Sequence, residues 1–120
     1  SIQAKIIMNN FENFDKKIRS LGSLVDIYNK ELGYENTSNH LYRIEVLDNE
    51  KFIKSMKRVG IICGIHYSAL HQTSIYNNDR QFLRLPNTER LQKRTVSLPM
   101  NENLSFNETE YIIDKVKENI

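Results

Sequence analysis

The 120-residue chain carries a single cysteine, Cys63, so it can close no internal disulfide. That fits a reducing compartment, and the cytoplasm is the expected location. No apolar stretch approaches the roughly 20 residues that cross a bilayer, so no membrane partner is expected. The first residues lack the charged-then-apolar order of a secretion signal. No basic run is present that could follow a phosphate backbone. The 17 basic and 15 acidic residues are mixed along the chain and leave a net charge of +2, which speaks against nucleic acid as a partner. Internal repeats, low-complexity tracts and linkers are also missing. What remains is an ordinary globular composition, 39% hydrophobic and 27% charged, with enough chain for one domain over residues 1–120 and one modest core.

The apolar residues Ile2, Ile6, Phe11, Phe14, Ile18, Leu21, Val25, Tyr28 and Leu32 recur at helical intervals. This predicts one long N-terminal helix, with Gly22 marking a bend or a break between two helices and Gly33 as its C-cap. Ser1 is placed to cap it. A chain that opens at a helix cap, inside a periodic segment, is expected to be cut from a longer one. "YENTSN" is a polar loop, and "HLYRIEVL" alternates as a strand. Asp48 should cap a helix over Asn49 to Val59 that buries Phe52, Ile53 and Met56, and Gly60 should end it. "IICGIHY" is short, β-branched and glycine-bounded, which predicts a second strand buried on both faces. Residues Ser68 to Pro86 have no period and carry Asn77, Asn78 and Asp79, so a long ordered loop is expected. A helix capped by Asn87 or Thr88, the strand "TVSLP", and a closing helix from Ser105 or Asn107 follow. The closing helix carries the stripe Tyr111, Ile112, Val116 and Ile120. The expected fold is α+β: a long N-terminal helix and a three-stranded, mainly antiparallel sheet with helices on one face.

The stretch "GIICGIHYSALHQTSIY" holds the candidate chemistry. His66 and His71 are five apart, whereas helical zinc pairs sit four apart with further ligands elsewhere, so no metal is expected. Cys63 and His66, three apart on a strand, point to opposite faces, which makes Cys63 a core residue rather than a nucleophile. His66 has two open readings: a strand-end residue with an ordinary hydrogen bond, or a donor to an anionic ligand. Histidine N–H groups and the Tyr67 phenol can both donate to phosphate or carboxylate oxygens. Arg80 and Arg84 could add charge. Tyr28, Tyr34 and Tyr42 read as packing residues with polar tips. The run "ERLQKR" reads as a solvated helix face.

Taken in order, "SIQAKI", "GIICGIHYSALH", "NTERLQKRTVSLPMNENLS" and the closing helix resemble the C-terminal part of the DegT/DnrJ/EryC1/StrS aminotransferases. That family's usual patterns are an "IQAA" helix, a "GI…HYP.PLH" strand and loop, and a "TE.L…LSLP" segment. Here Ser68 replaces the usual proline, the following triplet reads Ala69, Leu70, His71, and Lys5 replaces a small residue. The resemblance implies the small domain of a fold-type I pyridoxal-phosphate enzyme that aminates keto groups on nucleotide-linked sugars. It further implies a homodimeric parent, and substrate contact by His66, Tyr67 and His71 from a cleft between domains. The Schiff-base lysine and the carboxylate for the cofactor ring lie in the family's large N-terminal domain. The chain itself is therefore expected to bind no pyridoxal phosphate, to hold no catalytic residue, and to self-associate through an apolar face. The alternative is a free-standing binding or interaction module descended from that domain.

Overall fold

The structure is a computed structural model that describes residues 1–76 and 83–120. The expected turn residues Asn77, Asn78 and Asp79, together with Arg80, lie outside the described residues. The chain gathers into two compact units: Ser1–Tyr42 with Met100–Ile113, and Arg43–Pro99 with Asp114–Ile120.

In the first unit the expected long helix is two helices, α1 (Ile2–Glu12) and α2 (Phe14–Leu32). The break falls at Asn13, not at Gly22. Asn13 has φ −100° and ψ 2°, and its side-chain amide donates to the Asn9 carbonyl at 3.3 Å. Asparagine competes in this way with the helix ladder, and apolar periodicity is blind to it. Gly22 sits unremarked inside α2. The predicted caps hold: the Ser1 hydroxyl accepts from the Ala4 N–H at 3.3 Å, and Gly33 closes α2 at φ 73°.

The two helices differ sharply in burial. Leu21, Leu24, Val25 and Tyr28 of α2 form a buried stripe at helical spacing. No residue of α1 is buried, and Ile2, Ile6, Ile7, Met8 and Phe11 are all exposed. Tyr28 packs its ring on Tyr42, 4.8 Å between centroids. Asn29 fixes the polar loop that follows. It donates to the Asn36 carbonyl at 2.8 Å, accepts the Asn36 N–H at 2.9 Å and accepts the Tyr42 hydroxyl at 3.0 Å. Burial pushes the Tyr42 phenol above its ordinary pKa.

Strands β1 (Tyr42–Glu45), which belongs to the second unit from Arg43 onward, and β2 (Thr95–Leu98) form a two-stranded sheet. The Val46 N–H donates to the Arg94 carbonyl at 2.8 Å, so the end of β1 meets the start of β2 and the pair is antiparallel. The expected third strand contracts to one antiparallel bridge, Gly64 with Ser97. That segment is not buried on both faces either: Ile61 and Cys63 are buried, while Ile62 and Ile65 are exposed. A β-branched run reports a pleated, half-buried surface, and β2 offers it ladder bonds only at Gly64. The sheet is therefore smaller than the three strands expected, within an α+β fold.

Helix α3 (Asn49–Arg58) is capped by Asp48, which accepts the Lys51 N–H at 3.0 Å. It buries Phe52 and Met56 with Ile53 half-buried, and it packs on β2 and on α4 (Pro86–Arg94). Helix α4 starts earlier than Asn87, with Pro86 at the first-turn position its fixed φ suits. Buried Asn49 donates to the carbonyls of Gln92 at 2.7 Å and Thr95 at 3.1 Å. It thereby joins the start of α3 to the end of α4. Cys63 is core, and burial pushes its thiol up to about 11, so little thiolate exists at neutral pH.

The closing helix α5 (Phe106–Asn119) is set by a reciprocal cap. The Ser105 N–H donates to Glu108 at 2.8 Å and the Glu108 N–H to the Ser105 hydroxyl at 3.2 Å. Its buried positions are Thr109, Ile112, Ile113 and Val116, whereas Tyr111 and Ile120 of the expected stripe are exposed.

These burials set the expected stability changes. Tyr28→Ala should cost about 3–5 kcal/mol, the range for deleting a buried aromatic. Phe11→Ala on α1 should stay within about 0.5 kcal/mol. Gly22→Ala should add up to about 1 kcal/mol of helix propensity, because a Cβ there meets nothing closer than the Asn39 side chain at 3.8 Å. Urea unfolding of the three variants checks the ranking.

Candidate functional site

Gly64 and Ser97 exchange both bridge hydrogen bonds, 3.0 and 2.8 Å. Two residues on, the His66 ring folds back over Gly64. A Cβ on Gly64 would lie 2.7 Å from His66 Cε1, so glycine is required for that ring to sit where it does. His66 meets Tyr67 edge to face, with ring centroids 5.1 Å apart, across a cis peptide bond. Tyr67 is 73% exposed. His66 is half-buried, and its Nδ1 is buried without a hydrogen-bond partner.

The chain then turns inward. Ala69 is buried and donates its N–H to the Gln92 side-chain carbonyl. A 3₁₀ turn, Leu70–Gln72, carries His71 into the interior, where only 9% of it is exposed. His71 Nε2 lies 3.1 Å from Glu89 Oε1. Gln92 Nε2 donates to Gln72 Oε1 at 3.1 Å. Glu89 and Gln92 are one helical turn apart on α4, so a single face of that helix grips the loop at Ala69, His71 and Gln72.

Against this loop lies an open pocket of about 550 Å³ whose lining includes Tyr67, Leu70, His71, Tyr76, Leu85 and Thr88. The lining mixes apolar walls with two phenols, an imidazole and two hydroxyls, a composition suited to a ligand with both ring and polar parts. Of the three expected site residues, Tyr67 and His71 line this pocket together. His66 does not line it; its ring sits on the Gly64 side. The Nε2 of His71 is already engaged by Glu89.

Glu89, along with Gln92, was missed in the sequence reading. Its carboxylate accepts the Leu85 N–H at 3.0 Å, which caps α4, and it accepts the His71 bond. Arg84 stands 3.9 Å away. The Leu85 bond first, and the His71 bond next, hold its carboxyl below the usual range. Nor is "ERLQKR" merely a solvated face. Arg90 and Arg94 pair with Glu45 at 2.5 and 3.2 Å, and Arg94 also donates to the Val46 carbonyl at 3.1 Å. The available signal was spacing: Glu89 and Gln92 share one face of a helix whose remaining charged residues, Arg90, Lys93 and Arg94, are cationic.

A sequence model of the DegT/DnrJ/EryC1/StrS aminotransferase family matches residues 1–117. The chain belongs to that family. Its fold matches DesV of S. venezuelae, solved in complex with a ketimine intermediate, at 19% identity and a TM-score of 0.86 over 97% of this chain and 35% of that one. It matches Helicobacter pylori PseC, an aminotransferase involved in pseudoaminic acid biosynthesis, at 18% identity and 0.83 over 93% of this chain and 35% of that one. It also matches Spr1654 of Streptococcus pneumoniae, in a PMP form, at 21% identity and 0.81 over 92% and 32%. The chain thus spans about a third of the length of these proteins.

The family depends on pyridoxal phosphate. The residues described here do not fit that cofactor. It requires a lysine held in a dry pocket opposite an acid. No lysine lines the pocket beside Tyr67, and the lysines are exposed apart from half-buried Lys115, which pairs with Glu118 at 2.7 Å. Among the described residues no cluster of His, Cys, Asp or Glu could hold a metal ion, and no helix is long and apolar enough to cross a membrane.

The Glu89 carboxyl gives a pH test. A pKa lowered by folding contributes stability above the unfolded value and loses it as pH falls through the folded value. The window therefore lies below the ordinary 4.5. Glu89→Gln should reduce stability at pH 7 and flatten the loss of stability below about pH 4.5. Asp48, Glu102 and Glu108 have lowered values too, so part of the acid loss should persist. Unfolding midpoints at pH 3 to 7 check this, and parallel curves for both proteins would contradict it.

Proposed function

We propose that residues 1–120 form the small C-terminal domain of a pyridoxal-phosphate enzyme that aminates a keto group on a nucleotide-linked sugar. In this reading the loop from His66 to His71 faces the substrate. The observation that carries it is the Tyr67–His71 pocket, held by α4 at the positions of the family's "HY…LH" and "TE" motifs. Tyr67, exposed at the pocket's edge, donates its phenol to a phosphate or hydroxyl oxygen of the substrate. His71 shapes the floor, its orientation set by Glu89. The cofactor, when bound in the parent enzyme, supplies the amino-group chemistry; its lysine and acid come from outside this chain. The parent is read as a cytoplasmic homodimer.

Two measurements on the chain test this. With pyridoxal phosphate and borohydride, no single lysine should trap in a saturable, stoichiometric way, because the lysines are exposed apart from half-buried Lys115, which pairs with Glu118. One saturable adduct would overturn the assignment. In a titration of the ¹⁵N-labelled chain with a uridine-diphosphate sugar, amide shifts should concentrate in residues 66–71 and leave α1 unmoved. Binding should be weak, with a Kd on the order of 1 mM, equivalent to about 4 kcal/mol. No response at 66–71 at several times that concentration would contradict the substrate-facing role.

A further inference from the structure

We infer that Glu89 holds the proton of His71 on Nε2, so that the neutral ring offers the pocket a hydrogen-bond acceptor at Nδ1. The group received there is a ligand hydroxyl, not a phosphate oxygen. This deepens the substrate-facing reading above and rests on it for its functional meaning. The position of the proton rests on the fold alone.

The geometry starts at one oxygen, Glu89 Oε1. It accepts the Leu85 N–H at 3.0 Å and lies 3.1 Å from His71 Nε2. The Leu85 bond first, and the His71 bond next, hold the Glu89 carboxyl below its ordinary range, so it is ionised at neutral pH. An ionised carboxylate only accepts. The hydrogen atom between Oε1 and Nε2 therefore belongs to the ring. Turning the ring over would set Cε1 in place of Nε2 against the carboxylate and forfeit the bond. His71 is only 9% exposed, so water is a poor substitute for Glu89.

Nε2 is thus occupied, and Nδ1 is the one polar ring atom left for the pocket that His71 lines. A neutral imidazole carries its proton on one nitrogen and accepts at the other; the bond made at the far nitrogen decides which. The hydroxyls of Tyr67, Ser68, Tyr76 and Thr88, which also line the pocket, can each donate or accept, so they leave the polarity of a ligand open. Nδ1 does not. It presents a lone pair, with an anionic carboxylate on the Nε2 side of the same ring. A phosphate oxygen brings no proton to such a position, and its charge is repelled there. A hydroxyl brings the proton. The sugar end of a nucleotide-linked sugar therefore lies at His71, and its phosphates lie toward Tyr67, which is 73% exposed at the pocket's edge.

Long-range ¹H–¹⁵N spectra of the chain above pH 8, where an ordinary imidazole is neutral, read the ring directly. His71 should show an unprotonated Nδ1 and an Nε2-bound proton slow enough in exchange to give its own signal. In Glu89→Ala that signal should broaden away, and a fraction of the Nδ1–H form should appear. A proton on Nδ1 in the wild-type chain, alone or together with one on Nε2, overturns the inference, as does a His71 spectrum unmoved in Glu89→Ala. Should Glu89→Ala fail to fold, the wild-type spectrum still decides. Two probes then read the pocket: methyl glucoside has hydroxyls without phosphate, and inorganic pyrophosphate the reverse. Excess methyl glucoside should shift the His71 Nδ1 resonance toward that of a protonated nitrogen, while pyrophosphate leaves it in place. The opposite pattern, or no response to the sugar, overturns the hydroxyl assignment. A uridine-diphosphate sugar that leaves residues 66–71 unmoved would remove the substrate-facing reading, whereas the wild-type tautomer tests the proton by itself.

Discussion

Two side chains on one face of a nine-residue helix decide where the candidate site lies. Gln92 accepts the backbone N–H of Ala69, and Glu89 meets the ring of His71. Neither Ala69 nor His71 belongs to a long helix or a strand, so backbone ladders do not hold them. Without α4 this stretch would be a free loop, and a free loop has no fixed pocket. Helix α4 can act as a clamp because it is itself fixed at both ends. Glu89 satisfies the Leu85 N–H at its start, and Asn49 binds its last carbonyls from α3. Arg90 and Arg94 add ion pairs to Glu45 at the surface, which contribute little by comparison.

The same device recurs through the molecule. Where the sheet is too small to order the chain, a buried or half-buried amide takes over. Asn29 ties the loop after α2 to its own helix and to Tyr42, and Asn49 ties α3 to α4. Each amide meets two or more backbone or side-chain groups, so removing one would leave several polar groups without partners. Such groups cost more unpaired than they gain when paired. A two-stranded sheet is only marginally stable by itself, and Asn49, with α3 packed on β2, reinforces it.

Much of this was legible in the sequence, and the failures share a cause. Helix α3 and its Asp48 cap, the Gly33 and Gly60 stops, the strand at Thr95–Leu98 and the core role of Cys63 follow from apolar spacing and cap chemistry. Periodicity could not see the break at Asn13, because α1 and α2 share an apolar repeat and the break comes from a side-chain amide. Nor could it tell that the α1 face stays exposed, since burial depends on what lies opposite. The third strand was over-read from β-branched residues whose ladder partners exist only at Gly64. At the site, Tyr67 and His71 were named through the family resemblance, and the structure sets both against one pocket. Glu89 and Gln92 were hidden within a charged run, because a polar residue facing inward resembles one facing water until its partner is known.

Ala69 offers the most direct check on the clamp. Ala69 is buried but lies outside every helix and strand among the described residues, and its amide donates to Gln92 rather than to a backbone ladder. Native-state hydrogen exchange should find this amide protected in the wild-type chain. In Gln92→Ala it should exchange roughly fivefold to tenfold faster, equivalent to about 1 kcal/mol, with β2 amides little changed. An Ala69 amide that exchanges freely in the wild-type chain, or equally slowly in Gln92→Ala, would contradict the account.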